Sequence, residues 1–207
     1  MLLCLVGSEM CIRDRCPVRA LRVAYTGELG WELHHPIEMQ NYLLDILLSS
    51  GKEFNLKLVG ARAQNWLRQE KSYKAFGSDL GRDAGPFESK LSRFVDINKN
   101  FLGKDALLKR KTDVSCVTLL IDGPKDIDPW GREALYNETE EVMLGRLTSA
   151  GYSVHFKRSI GIGYVKSSFS EVGTKLRIKI DDAFWNAEIV RDSPYDPQNE
   201  RIIDRVQ

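Results

Sequence analysis

The chain has 207 residues, 43% of them hydrophobic, which is enough for one large or two small globular domains and too apolar for a disordered chain. Lysine and arginine number 30 against 29 acids, so no net field draws the surface toward nucleic acid or an anionic membrane. No apolar run approaches the roughly 20 residues that a membrane-spanning helix needs. Cys4, Cys11 and Cys16 crowd the beginning of the chain, and Cys116 is alone in its body. That usage gives no internal disulfide framework and fits a reducing compartment.

Residues 1–15 stand apart. The first seven are apolar like a short secretory h-region, but they lack a basic n-region and a small-residue cleavage site. Residues 8–15 resemble translated sequencing-adaptor text. The expectation is that 1–15 are a non-native extension, that the natural protein began far upstream, and that this chain is its C-terminal fragment. They are set aside from the fold reading.

Residues 20–24 alternate apolar and polar as a half-buried strand does, and 31–34 alternate again. Between them Gly27 and Gly30 bracket a short turn, so a hairpin is expected. Glu32 would point to the face opposite Trp31 and Leu33. A carboxylate beside such a turn can accept paired hydrogen bonds from a flat ligand with neighbouring N–H donors. On pattern alone, an ordinary hairpin with an exposed glutamate is the stronger reading.

Over residues 36–50, Met39, Tyr42, Leu43, Ile46 and Leu47 recur at helical steps, which predicts an amphipathic helix with Gly51 as its C′ stop. A second helix is predicted over 61–70, with Arg62, Asn65 and Gln69 on one polar stripe. The helix dipole disfavours a cation near the N-terminus. A guanidinium beside free helix N–H groups would make an anion site, whereas the plain alternative is a solvated surface arginine. Residues 73–92 read as irregular connection, 94–97 as a short strand, and 104–111 as a short helix ending in a basic run.

After residue 112 the pattern changes. Apolar, β-branched runs fill 114–121, 142–148 and 160–165. Residues 176–180 alternate, Asp181-Asp182 makes a turn, and 185–190 returns. Short strands separated by turn signals predict a small β-barrel or sandwich. Adjacent His34 and His35 would point to opposite faces, so no metal site is expected. Gly161-Ile162-Gly163 lies between strand signals and does not open a dinucleotide-binding helix. No Ser-His-Asp or Cys-His set is evident. Trp31, Trp66, Tyr73 and Trp185 read as packing residues, and Tyr195 as packing of the tail or as a side chain closing over a site.

One ordered set of motifs adds to this reading. It begins with Tyr25-Thr26-Gly27-Glu28-Leu29-Gly30-Trp31-Glu32-Leu33. Gly60-Ala61-Arg62 and Leu67-Arg68-Gln69-Glu70-Lys71-Ser72-Tyr73 follow, then Phe101-Leu102-Gly103-Lys104 and Asp128-Pro129-Trp130-Gly131. Thr148 to Tyr152, Ser159 to Val165 and Pro194 to Arg201 complete it. In this order the set resembles the aminomethyltransferase (glycine cleavage T protein) superfamily. Leu29-Gly30-Trp31-Glu32-Leu33 is most similar to the folate-linked half of the FAD-dependent dimethylglycine and sarcosine dehydrogenases.

The resemblance implies an α+β fold: a truncated aminomethyltransferase-type folate-binding domain over 16–112, followed by a small C-terminal β-barrel over 113–207. It implies tetrahydrofolate as cofactor, with Glu32 on the pterin edge, Arg62 and Tyr25 contacting folate, and Glu28 in the same signature. Arg68 is either a ligand contact or a structural partner of an acid. The implied activity is oxidative demethylation of an N-methyl amine, with capture of the one-carbon unit by tetrahydrofolate. FAD and the catalytic aspartate would lie upstream of residue 1, so no catalytic residue is assigned here. This piece alone is expected to be inactive and marginally folded. A stand-alone aminomethyltransferase and a non-catalytic folate-binding protein of the same fold are the alternatives. Small molecules are the implied partners, with neither nucleic acid nor membrane, in bacterial cytoplasm or the mitochondrial matrix.

Overall fold

The structure is a computed structural model that describes residues 8–13, 16–110, 112–123 and 127–203. The chain divides into two compact units: one draws on residues up to Gln64 and from Gln198 onward, the other is Asn65–Pro197.

The first unit holds a three-stranded antiparallel sheet of β1 (Ser8–Arg13), β2 (Cys16–Leu21) and β3 (Glu32–His34). β1 belongs to the stretch set aside above, and its backbone pairs with β2 from Ser8↔Leu21 to Arg13↔Cys16. β2 and β3 pair through Ala20↔Leu33 and Leu21↔Glu32, which is the expected hairpin. Its connection is not a tight turn. β2 ends at Leu21, so residues 22–24 leave the ladder, and the loop runs through 22–31. Gly27 sits in this loop at φ +81°, a conformation that a side chain disfavours.

The expected helix over 36–50 begins as a 3-10 turn, Ile37–Met39, and becomes α1 at Gln40–Ser50. Gly51 directly follows the last helical residue, as expected of a stop. It stays right-handed (φ −77°), and its N–H donates to the Leu47 carbonyl at 2.8 Å. A second 3-10 turn, Lys52–Phe54, follows, and the left-handed residue is Asn55 (φ 54°). No residue of α1 is buried, and Tyr42, Ile46 and Leu47 of its apolar stripe stay about 40% exposed.

Helix α2, Ala61–Glu70, has the predicted bounds. Residues 73–92 are irregular as expected, with one isolated bridge between Phe76 and Leu80. The short strand expected over 94–97 is absent, because Ser92–Phe94 winds into a 3-10 turn and uses those backbone groups locally. The third helix, α3, is Lys104–Lys109.

Among the described residues, six antiparallel strands then close into a barrel: β4 (Val114–Ile121), β5 (Ala134–Tyr136), β6 (Met143–Ser153), β7 (Arg158–Lys166), β8 (Lys175–Ile180) and β9 (Ala183–Val190). The order around the wall is β4-β7-β6-β5-β8-β9. β8 and β9 form the predicted hairpin, with Asp181 left-handed in its turn (φ 51°). A barrel this small is filled by side chains. Val117, Leu119 and Ile121 alternate inward with Leu147, Ile178 and Ile189 in one buried cluster, and Trp185 packs against it. β4 is covered outside too: Cys116, Thr118 and Leu120 are buried although they alternate with the inward residues.

Candidate ligand site

The signature loop places its residues unequally. Glu32 lies on β3 opposite Leu21, and alternation puts Glu32 and His34 on the exposed side while Leu33 is half-buried. Glu32 Oε2 is 3.4 Å from His34 Nε2, and both side chains are more than half exposed. His35 uses Nδ1 on the Pro36 carbonyl at 2.9 Å, so the adjacent imidazoles have different partners. Glu28 lines a concavity of about 270 Å3 together with Arg22, Val23, Leu29, Ile202 and Ile203. Its Oε2 is 3.9 Å from Arg201 Nη1. Tyr25 is half-buried in the same loop, outside that lining. Arg62 stands exposed in the first turn of α2, a turn with no acidic residue. Thus one of the four predicted residues lines the concavity, and Glu32 and Arg62 stand at exposed positions outside it.

The C-terminal end of α2 has a different character. Five consecutive polar residues, Arg68 to Ser72, are buried in the second unit. Arg68 and Asp79 form an ion pair at 2.6 Å with side chains 3% and 0% exposed. The guanidinium also donates to Asn65 Oδ1 (2.8 Å), the Tyr73 carbonyl (2.7 Å) and Ser149 Oγ (2.7 Å). Asp79 accepts further from the Ala75 N–H (2.9 Å) and from the hydroxyls of Thr148 and Ser149 (2.5 Å each). Of the two roles open to Arg68, the geometry gives the structural one, because Nε and both terminal nitrogens of a buried guanidinium donate to groups inside the protein.

The next residues bind the tail. Glu70 accepts from Ser153, and its carbonyl accepts from the Tyr195 N–H at 3.1 Å. Lys71 Nζ, fully buried, donates to the Asp196 carbonyl at 2.7 Å and lies 3.7 Å from the Asp196 carboxylate. The Ser72 hydroxyl bridges Thr118 Oγ1 (2.7 Å) and the Ser193 N–H (2.9 Å). Tyr195 also meets His155 edge to face, with centroids 4.8 Å apart. In the second unit Tyr195 therefore packs the tail against α2. Trp66 is likewise a packing residue: its indole lies over Gly151 of β6, where any Cβ would collide with the ring.

The sequence reading did not anticipate Asp79, Lys71 or Ser72 as network members. For Lys71 and Ser72 the signal was the polar run 68–72 following an apolar Leu67, which on its own looks like a solvated helix end, and Asp79 lay in a stretch read as irregular connection. The Asp128–Gly131 motif resolves into a carboxylate-filled turn, where Glu133 accepts from the N–H groups of Trp130, Gly131 and Arg132 at 2.7–2.9 Å. This fixes the backbone of Trp130, a residue that is 80% exposed.

Burial pushes the Cys116 thiol up to about 11 and the Tyr164 hydroxyl up to about 12. Tyr164 donates to the Asp79 carbonyl at 2.8 Å and shares a hydrogen bond with Ser89. Burial also raises Tyr73, against the opposing pull of Arg93. Burial works to raise the Glu88 carboxyl, but the Thr112 hydroxyl, backbone N–H groups and Arg110 outweigh it and hold the group below its ordinary value. Among the described residues no set of three or more His, Cys, Asp or Glu is arranged to hold a metal, and no helix is long and apolar enough to cross a membrane.

Residues 6–99 match the GCVT N-terminal domain, and residues 115–196 match the glycine cleavage T-protein C-terminal barrel domain. The mitochondrial dimethylglycine dehydrogenase of Mus musculus is 37% identical over 183 residues, covering 85% of this chain and 20% of that protein. An aminomethyltransferase of Caldanaerobacter subterraneus is 32% identical over 170 residues, covering 82% of this chain and 45% of that one. The crystal structure of the glycine cleavage system aminomethyltransferase T from Bartonella henselae shares the fold, with a TM-score of 0.76 at 23% identity over 86% of this chain and 50% of that one. The chain thus spans a fifth of the dehydrogenase and about half of the aminomethyltransferases. It belongs to the glycine cleavage T-protein family and is a homologue of both dimethylglycine dehydrogenase and aminomethyltransferase.

Proposed function

We propose that the chain carries a tetrahydrofolate-binding part of a folate-dependent one-carbon enzyme of the dimethylglycine or sarcosine dehydrogenase type. The observation that carries this reading is the 37% identity to dimethylglycine dehydrogenase across 85% of the chain, together with a match to the GCVT N-terminal domain over 6–99 that contains the signature loop. The donor set suits the ligand. Glu32 offers two acceptor oxygens from an exposed strand position, as the donor-rich edge of a pterin requires. Arg62, in the first turn of α2, supplies a planar cation at a helix N-terminus for the anionic glutamyl tail. Tyr25 and Glu28 shape the loop next to them. Bound tetrahydrofolate supplies the nitrogen that takes up the one-carbon unit, while this chain's residues bind and orient it.

The boundaries at 15 and 112, and the places in bacterial cytoplasm or mitochondrial matrix, belong to the same reading. FAD chemistry would belong to other parts of a full-length dehydrogenase. Gly161 and Gly163 lie within β7, paired on both sides with β4 and β6, and form no phosphate-cradling turn here. The N-methyl amine is the substrate of that whole enzyme. A stand-alone aminomethyltransferase is the second reading, favoured by 32% identity over a larger share, 45%, of that relative.

The test is titration of tetrahydrofolate into the chain and its Glu32→Gln and Arg62→Ala variants. Loss of one charge-assisted hydrogen bond weakens binding by about 1.5–3 kcal/mol, roughly 10- to 150-fold. Unchanged affinity in both variants would remove these residues from the site.

A further inference from the structure

The loop 22–31 makes a long excursion between two short strands, and its flank rests on the far end of the chain. Ile202 and Ile203 line the same concavity as Val23, Glu28 and Leu29. Arg22 Nη2 donates to the Ile202 carbonyl at 3.5 Å, and Arg201 reaches Glu28 at 3.9 Å. Both segments belong to the first compact unit. Val23, Leu29 and Ile203 remain 48%, 40% and 51% exposed, whereas Ile202 is half-buried. Exposed charge contacts of this length contribute little on their own, so the apolar side chain of Ile202 carries the attachment.

We propose that Ile202 is a positioning residue: it clips the signature loop into one conformation and thereby sets where Glu28 and the start of β3, with Glu32, are presented. A glycine-containing loop released from such a clip samples many conformers. A ligand that requires one of them binds more weakly in proportion to the competent fraction. The clip stands on the contacts alone; its effect on ligand affinity rests on the folate reading above.

The experiment uses the full chain with Ile202→Asp and the conservative Ile202→Val. Amide hydrogen exchange reads the loop and tetrahydrofolate titration reads the site. Ile202→Asp is expected to speed exchange across 22–31 roughly tenfold and to weaken tetrahydrofolate by a similar factor. Ile202→Val keeps both near the parent values, and barrel amides stay unchanged in each. Unchanged loop exchange in Ile202→Asp overturns the clip. A loosened loop with undiminished folate affinity overturns the positioning role. A loosened loop in a chain whose parent form binds no tetrahydrofolate upholds the clip and instead sinks the folate reading.

Discussion

Replacing Asp79 with alanine strands a guanidinium inside the second unit. Arg68 keeps Asn65, the Tyr73 carbonyl and Ser149 as acceptors, but its only counter-charge among the described contacts is gone. The Ala75 N–H loses its carboxylate acceptor in the same step, and the hydroxyls of Thr148 and Ser149 fall back on the Ile162 carbonyl and the Ser78 hydroxyl. Breaking a buried pair by deleting one member costs about 3–5 kcal/mol, because the remaining charge stays desolvated. Against a typical total stability of about 5–15 kcal/mol, that is a large share. With a urea m-value of about 2 kcal/mol/M, the unfolding midpoint of the barrel should fall by about 1.5–2.5 M. Tryptophan fluorescence during urea titration measures it. Arg68→Met combined with Asp79→Leu should recover part of the loss, since neither charge is then left unpaired. A loss below about 1 kcal/mol in Asp79→Ala, or strict additivity in the double variant, would refute the claim that these two groups form one desolvated unit.

Other consequences follow from single sites. Tyr164 has a folded-state value above its unfolded one, so unfolding releases a proton between about pH 10 and 12 and stability falls as pH rises through that window. Tyr164→Phe should flatten this alkaline slope, by up to about 2 kcal/mol at its upper end, in denaturation series run at successive pH values. Cys116, 2% exposed and raised to about 11, should hold about a hundredfold less thiolate than an ordinary thiol at neutral pH. Its alkylation, followed by peptide mass, should track global unfolding; labelling at the speed of an exposed thiol would contradict its burial. Gly151→Val should cost about 1–3 kcal/mol, because its side chain meets the Trp66 indole, and it should move the Trp66 indole N–H resonance. An unmoved resonance would separate Trp66 from β6.

Local pattern carried most of the barrel. Alternation and β-branched runs located β4, β7, β8 and β9 to within two residues, because each places apolar side chains on an inward face. β5 escaped notice: Ala134–Tyr136 is too short to show a period. The strand expected near Phe94 failed for the opposite reason. Its apolar spacing suits a ladder, but Ser92–Phe94 satisfies its backbone in a 3-10 turn. Gly27 was legible as a turn residue, while the length of its loop was not, since β2 stops three residues earlier than its alternation suggests. Glu28, Glu32 and Arg62 came from an ordered motif rather than from local physics. The buried polar set could not be read from composition. Arg68 meets Asp79 and Ser149, and Lys71 meets Asp196, through contacts that only the folded barrel creates.

The attachment of Lys71 to Asp196 limits how the protein can be trimmed or fused. A version ending before Asp196 would take from a fully buried ammonium group both the carbonyl and the carboxylate of that residue. Shortening the last dozen residues, a routine step to improve solubility, would then act as a core mutation. Affinity tags and reporter fusions belong beyond that anchor.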